Sequence, residues 1–313
     1  LVKKKINFLT KKNKIKKNIL FYIFNFQKIH YNNEISILPD IHQKKGEMSP
    51  TGCVLVSDLI TPSFTHLCVG SGISLWKVDV NKNFDVKKFD SLFSFLQKKI
   101  PGSNSKNLKI HNFSKMDLIN NFKDEANSLV KQKILKKKYL KNIENNGNFL
   151  SNIKNPLSFE EAVPDYLKKI CYENFGTLGT GNTFIELHEI KESFKKQNKN
   201  KKSFYIYIHS GISDAYLTMF FSPRWGLHGK KFIPFEKEKW NFFAKHLVDK
   251  NSIKFKKNYF PNSSKFFGID KNSHDGKLYL SSMSYLCNMS ICNRVYIGTI
   301  IEKYINKKFH IDS

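Results

Sequence analysis

Glycines at 176, 179 and 181 stand directly ahead of the apolar run Phe184-Ile185-Glu186-Leu187. Glycine reaches positive φ without a Cβ penalty and lets a ligand approach the bare backbone. A loop of this kind can wrap a phosphate or nucleotide with its backbone N–H groups. It can equally be a tight turn feeding a buried strand, which is the commoner role of a lone glycine-rich loop. Both readings lead from loop into strand at residue 184.

At 313 residues the chain has room for one large domain or two ordinary ones. A hydrophobic content of 40% with 14% aromatics fills a core and excludes a wholly disordered polypeptide. The net charge of +27 points to a polyanionic partner, nucleic acid before anionic membrane. Among the 53 basic residues, however, only Arg224 and Arg294 are arginine. Readers of phosphate and base edges favour arginine's planar fork. The excess of Lys beside Asn, Ile and Phe is therefore partly the mark of an AT-rich genome, and it permits RNA binding without demonstrating it.

Cys53, Cys68, Cys171, Cys287 and Cys292 form no Cys-x-x-Cys pair. Their odd number and scatter argue against a disulfide framework and suit a reducing, cytoplasmic setting. No apolar run reaches membrane-spanning length, so no membrane partner is expected. Lys3 to Lys17 is basic and free of acidic residues, which leaves organellar targeting open. The stretch Ile19–Phe24 is short for a signal core and reads as a strand or helix edge.

Residues 1–30 read as a basic, low-complexity lead-in to a domain spanning 31–313. Ile35–Leu38, Cys53–Val56, Ile73–Val78 and Phe204–Ile208 have strand character, with a turn around Lys44-Lys45-Gly46. A Lys/Asn-rich helical insertion or spacer occupies about 100–157, with helical spacing over Met116–Lys141. A second helix is expected over 156–172, capped by Ser158, and a solvated loop over 196–202. Apolar spacing from Leu278 to Ile297 predicts a long buried helix over Lys277–Ile305.

Five blocks follow one another in order. They are Leu38-Pro39-Asp40-Ile41-His42 with Gly46, Val69-Gly70-Ser71-Gly72, the glycine-rich loop through Glu186, His209-Ser210-Gly211, and Tyr279-Leu280-Ser281-Ser282-Met283 running on to Asn288, Asn293 and Arg294. Together they resemble the RtcB family of RNA ligases. That family's motifs read Pro-Asp-(Val/Ile)-His…Gly, Val-Asp-Ile-Gly-Cys-Gly-Met, Gly-Asn-His-Phe-(Ile/Leu)-Glu, His-Ser-Gly-Ser-Arg-Gly and Tyr-Leu-x-x-Met…Asn…Asn-Arg.

The resemblance implies an α+β fold: an RtcB-type sheet-rich core with surrounding helices, here with the family's C-terminal third missing after Ser313. It implies joining of RNA 3′-phosphate or 2′,3′-cyclic-phosphate ends to 5′-hydroxyl ends, as in tRNA splicing or RNA repair, with GTP and Mn²⁺. In such ligases a histidine becomes guanylylated, and two metals held by Asp, Cys and His neutralise phosphoryl charge.

Carried over residue by residue, the resemblance places GTP contacts at Asn182, Phe184 and Glu186 and a metal ligand at His209. Cys68 falls where the family has its bridging aspartate, and a thiolate there suits a transition metal. Ser71 stands in place of the metal cysteine and Thr183 in place of a metal histidine, both weak donors. Asp40 and His42 match the opening motif, either at the RNA or metal edge or as a turn with a capping role. Ile212-Ser213-Asp214 replaces the family's Ser-Arg-Gly, and the surroundings of His310 match neither C-terminal histidine motif.

Three functions stay open: an RNA ligase by descent, a catalytically dead relative that binds RNA or a partner through its basic surface, and a truncated, decaying gene product. A second chain supplying the missing region is a further partner this reading allows. With Cys68, Ser71 and Thr183 all altered, no ligation by this polypeptide alone is expected.

Overall fold

The computed structural model describes residues 5–29, 33–42, 50–60, 69–102, 111–163, 165–179, 182–190, 200–211 and 269–310. The chain divides into two compact units. The first comprises Leu1–Leu67, Asn155–Ala162 and Ala215–Ser281, and the second comprises Cys68–Lys154, Val163–Asp214 and Ser282–Ser313.

In the first unit, strand β1 (Lys5–Phe8) runs parallel to β2 (Asn33–His42), which pairs antiparallel with β3 (Thr51–Ser57). Helix α1 (Lys17–Ile29) covers this sheet. Its Ile19 and Ile23 lie one turn apart and, with Ile15, bury against the alternate β2 residues Ile35 and Ile37. Each fully buried isoleucine contributes on the order of 2 kcal/mol. Where described, residues 5–29 are folded, because a four-residue isoleucine spacing runs beneath the lysines. Short strands β4 (Leu59–Ile60) and β8 (Ile269–Asp270) also pair antiparallel. The turn expected at Lys44–Gly46 lies outside the described residues.

In the second unit, β5 (Gly72–Asn81), β6 (Phe184–Glu189) and β7 (Lys201–Ser210) form an antiparallel sheet in the order β5-β7-β6. One face buries Val78, Val80, Phe204, Ile206 and Ile208. Leu92 and Leu96 of α2 (Phe89–Lys99) and Ile297, Ile301 and Ile305 of the final helix pack there, each set at four-residue spacing. Gly298 of that helix faces the Trp76 indole so closely that an added Cβ would overlap the ring.

The final helix runs His274–Phe309, longer at both ends than the expected Lys277–Ile305. The single helix expected over Met116–Lys141 is instead α3 (Lys115–Lys123) and α4 (Ala126–Lys131). The break falls at Glu125, whose backbone adopts φ 61°. Asn288 fixes that turn, donating to the Glu125 carboxylate and to the Phe122 carbonyl at 3.1 Å each. The Lys/Asn-rich stretch is no bare spacer, since Leu118, Phe122, Ala126, Leu129 and Leu135 are all buried.

The helix expected over 156–172 is likewise two, α5 (Phe159–Ala162) and α6 (Asp165–Asn174). Pro164 follows Val163 in the sequence and disfavours helical geometry there. Ser158 caps α5 as anticipated, accepting from the Glu161 backbone N–H at 3.3 Å. Strand β7 begins at Lys201, so strand takes over the end of the expected 196–202 loop. The long helix is called α7 below.

Candidate functional site

His209 lies near the end of β7, on the sheet face opposite the core. Its Nδ1 is 3.0 Å from the Asn182 carbonyl oxygen. A carbonyl only accepts, so Nδ1 carries a proton, and in the neutral ring Nε2 keeps its lone pair. The Ser71 hydroxyl is 3.2 Å from Nε2 and donates to it. The Phe184 ring meets the imidazole edge-on, with centroids 5.1 Å apart. Strand register explains this grouping, because Ile73, His209 and Phe184 form one row across β5, β7 and β6.

Two adjacent residues of α7 hold these loops from behind. Asn293 is fully buried and makes three bonds. Its Nδ2 donates to the Thr177 carbonyl and the Ser210 hydroxyl at 3.0 Å each, and its Oδ1 accepts from the Gly176 N–H at 2.6 Å. The Arg294 guanidinium donates to the Ser210 carbonyl at 2.9 Å and to the Gly70 carbonyl. Burial lowers the Arg294 pKa below its ordinary value.

Two glycines are required by this packing. Gly70 has φ +68°, and a Cβ there would stand 2.8 Å from the Ser290 Cβ. Gly179 has φ +99°, and its Cβ would stand 2.7 Å from the Gly211 carbonyl oxygen. Side chains at either position would push the loops apart.

The segments 69–72, 176–187, 209–211 and 293–294 thus converge within the second unit, where described. Thr183 is half-buried just ahead of β6, and Glu186 is exposed on β6, where its carboxylate accepts from His188 Nε2 at 2.9 Å. Asn182 contributes its backbone carbonyl to His209, while its side chain is exposed. Asp40 and His42 belong to the first unit. They sit where the β2–β3 register breaks, with His42 Nδ1 donating to the Asp40 carbonyl at 2.6 Å. Cys68 lies outside the described residues.

The tRNA-splicing ligase RtcB family matches residues 24–313. The chain belongs to the RtcB family. No curated protein sequence matches it directly. RtcB membership supports an RNA-ligase-like function with RNA as the partner class, and the mixture of helices and small sheets is α+β. Among the described residues, no helix is long and apolar enough to cross a membrane.

RtcB proteins use a metal and GTP, and the donors described here test that requirement. His209 brings one imidazole nitrogen, while Ser71 and Thr183 bring hydroxyls that stay protonated and ligate poorly. Among the described residues, no three His, Cys, Asp or Glu side chains gather. This donor set does not fit a tight transition-metal site. Sequence comparison alone missed the hydroxyl cap on His209 and the clamping role of Asn293 and Arg294. The signal for the clamp was Asn293-Arg294 as the end of the fifth motif block, with no indication of what the pair would hold.

Proposed function

We propose that this chain is an RtcB-type RNA ligase by descent that holds RNA ends but joins them poorly or not at all by itself. The substrates of this reading are 3′-phosphate or 2′,3′-cyclic-phosphate ends and 5′-hydroxyl ends, in tRNA splicing or RNA repair. The observation that carries it is the Ser71–His209 contact, which places a neutral hydroxyl, a weak metal donor, beside the imidazole nitrogen where the resemblance expects a thiolate.

The loops around that contact keep their packing, which supports retention of a binding surface. Asn182, Phe184 and Glu186 are the residues of this reading toward a guanine nucleotide. Cys53, Cys171, Cys287 and Cys292 carry no disulfide, which supports a reducing, cytoplasmic site of action.

The test incubates purified protein with GTP, Mn²⁺ and RNA bearing 2′,3′-cyclic-phosphate and 5′-hydroxyl ends, and follows binding of the same RNA by fluorescence anisotropy. Binding without joined product is expected. Efficient joining overturns the loss of activity, and absence of binding overturns the RNA reading.

A further inference from the structure

The sheet of the second unit carries a second ordered surface on the face opposite its core. Three rows cross it: Ile73–His209–Phe184, Leu75–Tyr207–Glu186 and Lys77–Tyr205–His188. Ile73 and Leu75 are each 55% exposed, and Tyr205 and Tyr207 are half-buried. His188 leans on Tyr207 with ring centroids 4.6 Å apart.

Alternate residues along a strand lie about 7 Å apart on one face, while neighbouring strands lie about 4.8 Å apart. His209, Tyr207 and Tyr205 therefore make a straight file of rings leading away from the candidate site. Successive nucleotides of an extended strand can span that spacing.

We propose that this face is a stacking platform for the unpaired bases of single-stranded RNA, with the RNA end at His209 and successive bases on Tyr207 and Tyr205. The inference rests on the reading of the site as one that holds RNA ends. The occupant follows from the face itself. A file of rings with polar neighbours suits base faces, which stack on aromatics whatever their sequence. The chain's charge of +27 disfavours a basic or neutral peptide, and the file of rings favours nucleic acid over an acidic one.

The local charge is nearly balanced. Lys77 pairs with Asp79 at 2.9 Å, Glu186 accepts from His188, and Lys201 is exposed at the far end of β7. Stacking, rather than phosphate attraction, supplies the affinity of this face.

The test titrates a short fluorescent oligouridylate into the wild-type chain and into Tyr205→Ala, Tyr207→Ala and the two Tyr→Phe variants. Each Ala variant is expected to lose about fivefold or more in affinity, the low end for one base–aromatic stack, with the Phe variants near wild type. Ultraviolet cross-linking of a 4-thiouridine oligonucleotide to the wild-type chain gives a measurement that does not depend on variant folding, and cross-links within 201–210 are expected.

Equal binding by wild type and Ala variants, or cross-links that map only elsewhere, overturns the platform while leaving the RNA reading intact. A wild-type chain that binds no oligonucleotide overturns both.

Discussion

The Ser71 hydroxyl donates to Nε2 of His209 across 138 residues of sequence, at 3.2 Å. The Asn182 carbonyl fixes the other ring nitrogen as a donor, so the neutral ring has the tautomer that would suit a metal, with only a hydroxyl beside its free nitrogen. Restoring a thiol at 71 and an imidazole at 183 replaces two neutral hydroxyls with transition-metal ligands. In Ser71→Cys combined with Thr183→His, Co²⁺ titration is expected to develop thiolate-to-metal absorption. A wild-type chain that already binds Co²⁺ as tightly as this variant would refute the argument.

Asn293 satisfies a backbone N–H, a carbonyl and a hydroxyl that are all shielded from water. Asn293→Leu has similar bulk and leaves each without that partner, at about 1–3 kcal/mol per group. The expected loss is about 3 kcal/mol or more, read as a lower urea midpoint at unchanged slope. An unshifted midpoint would show that these loops close without the amide.

Glu125 is fully buried, and desolvation pushes its pKa up to about 8 from 4.5, partly offset by the Asn288 hydrogen bond. Asp124 beside it raises the pKa further. Between those two values the folded state holds a proton that the unfolded state has released. Stability therefore falls as pH rises from about 4.5 to about 8 and levels off above. Glu125→Gln is expected to flatten that slope and to raise the melting temperature at alkaline pH by a few degrees relative to wild type. Parallel pH profiles for the two proteins would contradict a protonated Glu125.

Gly298→Ala drives a methyl group into the Trp76 indole, and both residues sit in the packed layer between β5 and α7. Overpacking of this kind costs about 1–3 kcal/mol. Differential scanning calorimetry should show a lower melting temperature for Gly298→Ala, and Trp76→Leu in the same background should recover part of the loss. A neutral Gly298→Ala would mean the indole has room to move.

Alternation in Phe204–Ile208 and the recurrence of apolar residues over 278–305 located β7 and α7 from pattern alone, β7 because one of its faces is apolar and α7 because it is long and buried over most of its surface. The same logic failed at Glu125. Apolar spacing runs straight through that residue, and the break depends on Asn288, which lies 163 positions away. It failed again at Ile15, Ile19 and Ile23, whose spacing was hidden among lysines until β2 supplied a surface to cover. Motif resemblance grouped Ser71 with His209 and the glycine loop, but only as positions in a pattern. The motif marked Ser71, His209 and Arg294 as positions, but that the hydroxyl meets the imidazole and that Arg294 holds two carbonyls behind it are three-dimensional facts the motif does not state.

The clamp made by Asn293 and Arg294 has a consequence for how such a chain can change over generations. The loops are anchored by an amide and a guanidinium on one helix turn, so their shape does not wait on an ion to gather them. On the proposed reading, replacing a ligand at 71 or 183 then removes chemistry without removing architecture. A lineage can shed its reaction one donor at a time, never passing through a misfolded ancestor, and still pass on the surface that once met the substrate.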